Sequence, residues 1–221
     1  MVAPSPYSCW LARDGYETHL VDPVRKHLDQ ACKASAAQPD HPVASVREGD
    51  ARSLKQDDES VDAVLLMGPL YHLTSREDRI KALRESHRVL KVGGQVFAKA
   101  INRFASLLDG LERGFIDDPS FTAILDRDLE EGQHRSAEGD EDYFTTAFFH
   151  RPEELETEVE DAGFAVKELV AVQGPGWLAK DLNERWSDGS KRAELLRLIR
   201  AVEGERTLLG VSQHFVVLGQ K

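Results

Sequence analysis

The chain is short of cysteine, of positive charge and of long apolar runs, and each shortage removes a class of protein. Cys9 and Cys32 are the only cysteines; they form neither a disulfide framework nor a metal-ligand spacing, and both fall in segments that read as helical. The eight histidines never form a close pair, and no His-Glu-x-x-His run occurs, so no metal site is expected. Lys and Arg number 28 against 39 acidic residues, for a formal net charge of -11. No Lys/Arg run with interleaved aromatics is present, so a nucleic-acid partner is not expected. No apolar run reaches the length needed to cross a bilayer, and the N-terminus lacks a basic start followed by an apolar stretch. A cytoplasmic protein without a membrane partner is therefore expected. Missing too are a Gly-x-x-x-x-Gly-Lys-Ser/Thr loop, which argues against nucleotide hydrolysis, and a Gly-x-Ser-x-Gly elbow, which argues against an α/β-hydrolase.

What is present is a core-forming sequence, 41% hydrophobic and 30% charged over 221 residues, with helix and strand patterns in alternation. A helix is expected over Tyr7–Asp14, stopped by Gly15. Strand patterns follow at Thr18–Asp22, Val43–Arg47, Val61–Met67 and Gln95–Ile101. Between them lie helical patterns at Val24–Ala37, with Val24, Leu28, Ala31 and Cys32 inward, and at Arg76–Leu90, ending before Gly93-Gly94. Such alternation implies a parallel, doubly wound sheet. Residues 103–150 break the rhythm with acidic, glycine-containing segments and read as short helices forming a lid. A helix at Pro152–Ala162, a strand at Phe164–Val172, a helix at Lys191–Val202 and an antiparallel-looking strand at Gln213–Leu218 complete the pattern. The expected division is a core of 1–102 and 151–221 with a lid of 103–150.

Parallel α/β sheets bind ligands outside the carboxyl ends of their strands. Asp22 ends one strand, where a carboxylate can accept from both hydroxyls of a ribose, or can simply enter the next helix before Pro23. Asp50, in Gly49-Asp50-Ala51, can accept from an adenine amino group, with the Ala51 N–H offered to the ring, or can be an ordinary turn residue. Met67-Gly68-Pro69-Leu70-Tyr71-His72 follows the central strand, placing backbone carbonyls, Tyr71 and His72 over the sheet. His72 also reads as a capping or core histidine.

The order of these pieces is more telling than any one of them. Val21-Asp22-Pro23, Gly49-Asp-Ala51, Ser60-Val-Asp-Ala-Val-Leu-Leu-Met-Gly-Pro-Leu-Tyr-His-Leu73 and His87-Arg-Val-Leu-Lys-Val-Gly-Gly94 closely resemble class I S-adenosylmethionine-dependent methyltransferases. Phe148-Phe-His-Arg-Pro-Glu-Glu-Leu155 is similar to the bacterial small-molecule branch. The resemblance implies a Rossmann-like α/β fold with a mostly parallel sheet and S-adenosylmethionine as cofactor. It implies methyl transfer to an O, N or C atom of a small molecule. Cofactor contacts implied by it are Ala3, Ser5, Tyr7, Asp22, Pro23, Asp50, Ala51, Met67, Gly68 and Pro69. The candidate bases are His72, Tyr71 and His150. Tyr71, Arg103, Phe144 and Trp177 are the candidate acceptor contacts, Arg103 also reading as a strand cap and Trp177 as a lid plug.

The family opens with a strand and a glycine-rich loop, whereas this sequence starts Met1-Val-Ala-Pro-Ser-Pro-Tyr-Ser8, resembling the second half of such a loop. The expectation is a chain shortened within that loop and lacking the first strand. The strands that normally flank it should then close up or receive a partner chain, or else leave a marginal fold. Other readings stay open: a catalytically impaired relative acting through protein association, a homodimer, or a nicotinamide-dependent oxidoreductase using Asp22 for the ribose.

Overall fold

The structure, a computed structural model, describes residues 6–135, 143 and 145–221. The polypeptide divides into two compact units, residues 1–57 and 58–221. In the first, α1 (Pro6–Arg13) is the helix expected over Tyr7–Asp14, shifted by one residue. Gly15, at φ 93°, ends it as the sequence implies, with Tyr16 N–H donating to Leu11 O (3.0 Å) and Gly15 N–H to Ala12 O (3.1 Å). This paired closure satisfies two helix-end carbonyls and needs a left-handed residue at the glycine. Strand β1 (His19–Asp22), helix α2 (Arg25–Ala36) and strand β2 (Ser45–Glu48) follow, and β1 pairs in parallel with β2 from His19↔Ser45 to Asp22↔Glu48. Leu28 and Ala31 supply the buried face of α2. Val24 and Cys32 do not share it: Val24 is the exposed N-cap residue and the Cys32 thiol is exposed.

The second unit is organised on one long strand. Its elements are β3 (Val61–Leu66), α3 (Pro69–His72), α4 (Arg76–Val89), β4 (Leu90–Asn102), α5 (Ala105–Arg113), α6 (Pro119–Glu131), β5 (Gln133–His134) and β6 (Ala147–His150). They continue with α7 (Pro152–Asp161), β7 (Ala165–Ala171), α8 (Leu182–Ser187), α9 (Gly189–Arg200) and β8 (His214–Gln220). β4 runs parallel to β3 through Ala63–Leu66 and Gln95–Ala98, and parallel to β6 at Ile101↔Phe149 and Asn102↔His150. It also runs antiparallel to β8 from Gln95↔Gln220 to Ile101↔His214, and β7 pairs antiparallel with β8. The architecture is the Rossmann-like α/β arrangement expected, with parallel pairing among the crossover strands and antiparallel pairing at the C-terminal end.

Two differences from the sequence reading have physical causes. β4 begins at Leu90 instead of Gln95 because Gly93-Gly94 does not end the strand. Gly93 takes φ 81°, and the register with β3 jumps between Val61 and Ala63, so the pair makes an irregularity inside one strand. In the 103–150 segment, α5 and α6 are the expected helices, but β5 and β6 form an antiparallel hairpin and β6 joins β4. The aromatic run Ala147-Phe-Phe-His150 is fully buried, so it is a strand of the sheet.

Packing follows from the apolar faces. α4 buries Ile80, Ala82, Leu83 and Val89, α7 buries Leu155 and Val159, and the strands contribute Val96, Ala98, Ala100, Phe215 and Val217. Each large aliphatic or aromatic side chain removed from water in this way contributes about 1.5–3 kcal/mol. Among the described residues no helix is long and apolar enough to cross a membrane.

Gly94 gives a direct check on the β3–β4 irregularity. A Cβ there would lie 2.9 Å from Lys91 O and 3.0 Å from Asp62 O, both backbone atoms. Gly94→Ala is expected to cost about 1–3 kcal/mol through forced backbone movement, read as a lower midpoint in thermal or urea unfolding. An unchanged midpoint would mean that the strands tolerate separation at this point.

Candidate functional site

The first unit places one carboxylate at a strand end. Asp22 closes β1, and its Oδ1 accepts from the Val24 N–H (2.7 Å), turning the chain through the exposed Pro23 into α2. The His27 ring nitrogen Nδ1 lies 3.2 Å from Oδ1 and 3.3 Å from Oδ2. With the side chain 28% exposed, the carboxylate retains lone pairs that can accept further hydrogen bonds. A ribose diol is a fitting donor pair for such a group.

Asp50 is more committed. It sits in a tight turn, paired across an isolated bridge with Ser53. Its Oδ1 accepts from Arg52 N–H (2.8 Å) and Arg52 Nε (3.0 Å), and its Oδ2 from Arg52 Nη2 (2.6 Å). Any amino group offered to Asp50 therefore competes with the ion pair of its own turn. Ala51 lies within that turn. Tyr7 is a half-exposed residue of α1. Ala3 and Ser5 fall outside the described residues, as does Phe144.

In the second unit the loop after β3 is compact. Gly68 is the N-cap of α3 and Pro69 its first residue, a position where the missing N–H costs nothing. The Tyr71 hydroxyl donates to Met67 O (3.0 Å), folding the phenol back over the strand end. Its ring packs on Ile101, Ala105, Ala147 and Phe149, while the His72 ring, exposed, lies 4.7 Å from it between centroids. Among the described residues a Cβ at Gly68 would meet the Tyr71 side chain, its hydroxyl at 3.5 Å and its Cζ at 4.0 Å, ordinary contacts. Packing thus does not require glycine here, and the bare backbone leaves room for a ligand to approach the strand end.

The remaining candidates lie deeper than the sequence implied. His150 is fully buried on β6, with Nε2 3.3 Å from Glu158 Oε2. Burial, only partly opposed by Glu158, holds its pKa below the ordinary histidine value. A ring without solvent access and facing a carboxylate of α7 is part of the packing; it is not placed to receive a proton from a substrate.

Arg103 is likewise spent. It is 2% exposed, with Nε donating to Phe149 O (2.8 Å), Nη1 to Glu130 O (3.3 Å) and Nη2 to both Glu154 oxygens (2.9 and 2.8 Å). It cross-links β6, α6 and α7, so the strand-end structural role replaces the substrate role. Trp177 Nε1 donates to Val211 O (2.8 Å) and pins the segment between β7 and β8.

Several buried polar groups were not singled out in the sequence. Arg79, 2% exposed, forms a two-pronged pair with Glu158 (Nε–Oε2 2.9 Å, Nη2–Oε1 2.7 Å) and stacks 3.7 Å from the Phe148 centroid. Asp128 Oδ2 accepts from both Ser106 Oγ (2.5 Å) and His134 Nδ1 (2.7 Å). Because the serine bonds the carboxylate and not the imidazole, this trio cannot activate a nucleophile in the Ser–His–Asp manner. Burial pulls the His134 pKa down, but the Asp128 carboxylate and the Tyr143 carbonyl outweigh it, leaving it raised. Helical or strand spacing signals which residue types share a face; it carries no sign of which charged ones are drawn inside. Among the described residues no His/Cys/Asp/Glu group could hold a metal ion.

The comparisons bear on this arrangement. Residues 3–98 match a family model described as a methyltransferase domain. An S-adenosylmethionine-dependent methyltransferase structure from Methanosarcina mazei aligns at 16% identity and TM-score 0.65, covering 99% of this chain and 88% of that one. One from Mesorhizobium loti aligns at 17% identity and TM-score 0.59, covering 97% and 86%. A third similar structure, at 17% identity and TM-score 0.54 and covering 99% and 79%, is a complex from Haloferax volcanii of the Trm112 methyltransferase activator with a putative methyltransferase. No curated protein matches the sequence.

A pH test follows from His214, at the start of β8. Burial, with Lys99 adding repulsion, pushes its pKa down to about 4. A depressed histidine favours the neutral folded form, so the unfolded chain binds the proton first. Its contribution is present above about 6.5 and lost as pH falls toward about 4, by on the order of 3 kcal/mol in all. Unfolding free energy is therefore expected to fall over that window, and His214→Gln to flatten the slope. An equally steep slope in the variant would assign the effect to other groups.

Proposed function

We propose that the chain, whose residues 3–98 match a methyltransferase domain, is a class I S-adenosylmethionine-dependent methyltransferase that methylates an oxygen, nitrogen or carbon atom of a small molecule. The observation that carries the acceptor reading is the Gly68–His72 turn. It offers an open backbone at Gly68 and an imidazole and a phenol at the carboxyl end of a parallel strand, where sheets of this class take their ligands. Bound S-adenosylmethionine supplies an electrophilic methyl group on a sulfonium. The work left to the protein is orientation, exclusion of water and, for a protonated acceptor, removal of a proton.

His72 is the proposed base, because its ring is exposed and beside Tyr71, whereas His150 is enclosed. Tyr71 uses its hydroxyl hydrogen on Met67 O, so toward a substrate it acts as an acceptor or as a ring surface. Asp22 is the proposed ribose contact, with Met67, Gly68 and Pro69 giving backbone to the cofactor. Asp50 contributes to adenine only if Arg52 yields. The free thiols of Cys9 and Cys32 suit a reducing cytoplasm.

A second reading, action through protein association, draws on the Haloferax volcanii complex and on Leu178, Trp186 and Leu198, which are 62%, 53% and 51% exposed around α8 and α9. Sedimentation of the isolated chain at rising concentration separates a monomer from a homodimer.

Calorimetry with S-adenosylmethionine and with its demethylated product tests the first reading. Saturable binding is expected, weakened about tenfold or more in Asp22→Ala, equivalent to about 1.4 kcal/mol. No heat up to millimolar ligand, with the protein folded by circular dichroism, would sink it and leave association as the working reading.

A further inference from the structure

The buried pair Arg79–Glu158 is costly for a structural fastening. Desolvating a guanidinium and a carboxylate costs several kcal/mol each, and apolar residues of similar volume commonly serve as well or better. Its geometry points to a more specific task. Arg79 divides its donors: Nε and Nη2 hold Glu158, whereas Nη1 donates to Leu73 O (3.0 Å) and Thr74 O (3.0 Å). These are the carbonyls through which the chain leaves α3, the four-residue helix that carries Tyr71 and His72.

So short a helix has little hold of its own. Its exit is closed by one backbone bond, Leu73 N–H to Pro69 O (3.0 Å). Carbonyls at a helix end carry partial negative charge and lack helical partners, and Arg79 supplies both a cation and two donors. Gln133 Nε2 adds a bond to Thr74 O (3.1 Å). The guanidinium is itself held in place: the Phe148 ring covers one face, Glu158 fixes the fork, and His150 Nε2 meets the second Glu158 oxygen.

We propose that Arg79 is the positioning residue for Tyr71 and His72, clamping the exit of their helix, with Glu158 orienting Arg79 and His150 orienting Glu158. It touches no reacting atom. The proposal rests on the methyl-transfer reading of Tyr71 and His72 and explains three buried polar side chains by one task.

The test is hydrogen exchange of the Leu73 amide relative to the β4–β8 ladder amides in the 221-residue chain without cofactor. The variant carries Arg79→Met with Glu158→Leu, so no charge is left buried and unpaired. Leu73 exchange is expected to rise at least tenfold relative to the ladder. By NMR, the His72 ring signal should move, while that of exposed His41 stays. An unchanged exchange ratio, or an equal rise at Leu73 and the ladder, overturns the proposal, because plain destabilisation loosens both. If the double variant does not fold, Arg79→Lys decides by the same ratio. It keeps the charge but cannot reach both carbonyls and the carboxylate at once, so a threefold or larger relative rise is expected and none refutes. Exchange reads the clamp without cofactor and calorimetry reads the methyltransferase role, so either can fail alone.

Discussion

Strand β4 is hydrogen-bonded along both edges, and the rest of the larger unit depends on that double pairing. One edge takes β3 over its middle and β6 at its end, while the other takes β8 over seven consecutive positions. A strand paired along both edges satisfies its backbone groups within the sheet, and Val96, Ala98, Ala100 and Ile101 add buried apolar side chains to the core. Where β4 ends, Asn102 takes over the role of a backbone partner. Its Nδ2 donates to Leu209 O (2.9 Å) and Ser212 O (2.7 Å), and its Oδ1 accepts from Phe104 N–H (3.1 Å). One amide thus ties the strand end to the approach of β8 and starts the turn into α5.

Around this strand, charge is used inside the protein where apolar contact would be simpler. Arg79, Arg103, Asp128 and Glu158 are each at most 2% exposed; Arg79 joins α4 to α7 and to the exit of α3, and Arg103 joins β6, α6 and α7. Each guanidinium divides its bonds between a carboxylate of α7 and backbone carbonyls, Leu73 and Thr74 for Arg79 and Phe149 and Glu130 for Arg103, groups that a hydrophobic side chain would leave unsatisfied.

Legibility in the sequence divides along the same line. The strands Thr18–Asp22 and Val61–Met67 were readable because apolar runs stop at an acidic residue or at Gly-Pro, and the structure departs from them by one residue at an end. Asp22 and the Tyr71-His72 turn could be singled out because strand ends locate themselves. Depth could not be read. His150 and Arg103 stand beside aromatic and strand patterns like surface candidates, yet both are buried against carboxylates of α7, Glu158 for His150 and Glu154 for Arg103. β6 was hidden for a related reason: four residues are too few to show a period, and only its pairing with β4 makes it a strand. Arg79 has the appearance of one more charge on a polar helix, and nothing local marks it as buried.

The connection from β7 to β8 has a kinetic side. Antiparallel neighbours can be joined by a two-residue turn, yet here residues 172–213, with α8 and α9, come between Ala171 and His214. Closing so long a loop in place of a tight turn raises the entropic cost of the first contact by roughly 2–3 kcal/mol. β7 and β8 are therefore poor initiators of folding as a hairpin. Because α8, α9 and the Trp177 anchor ride on that connection, they belong to the part of the chain that can detach and re-form while the β3–β4 framework stays folded.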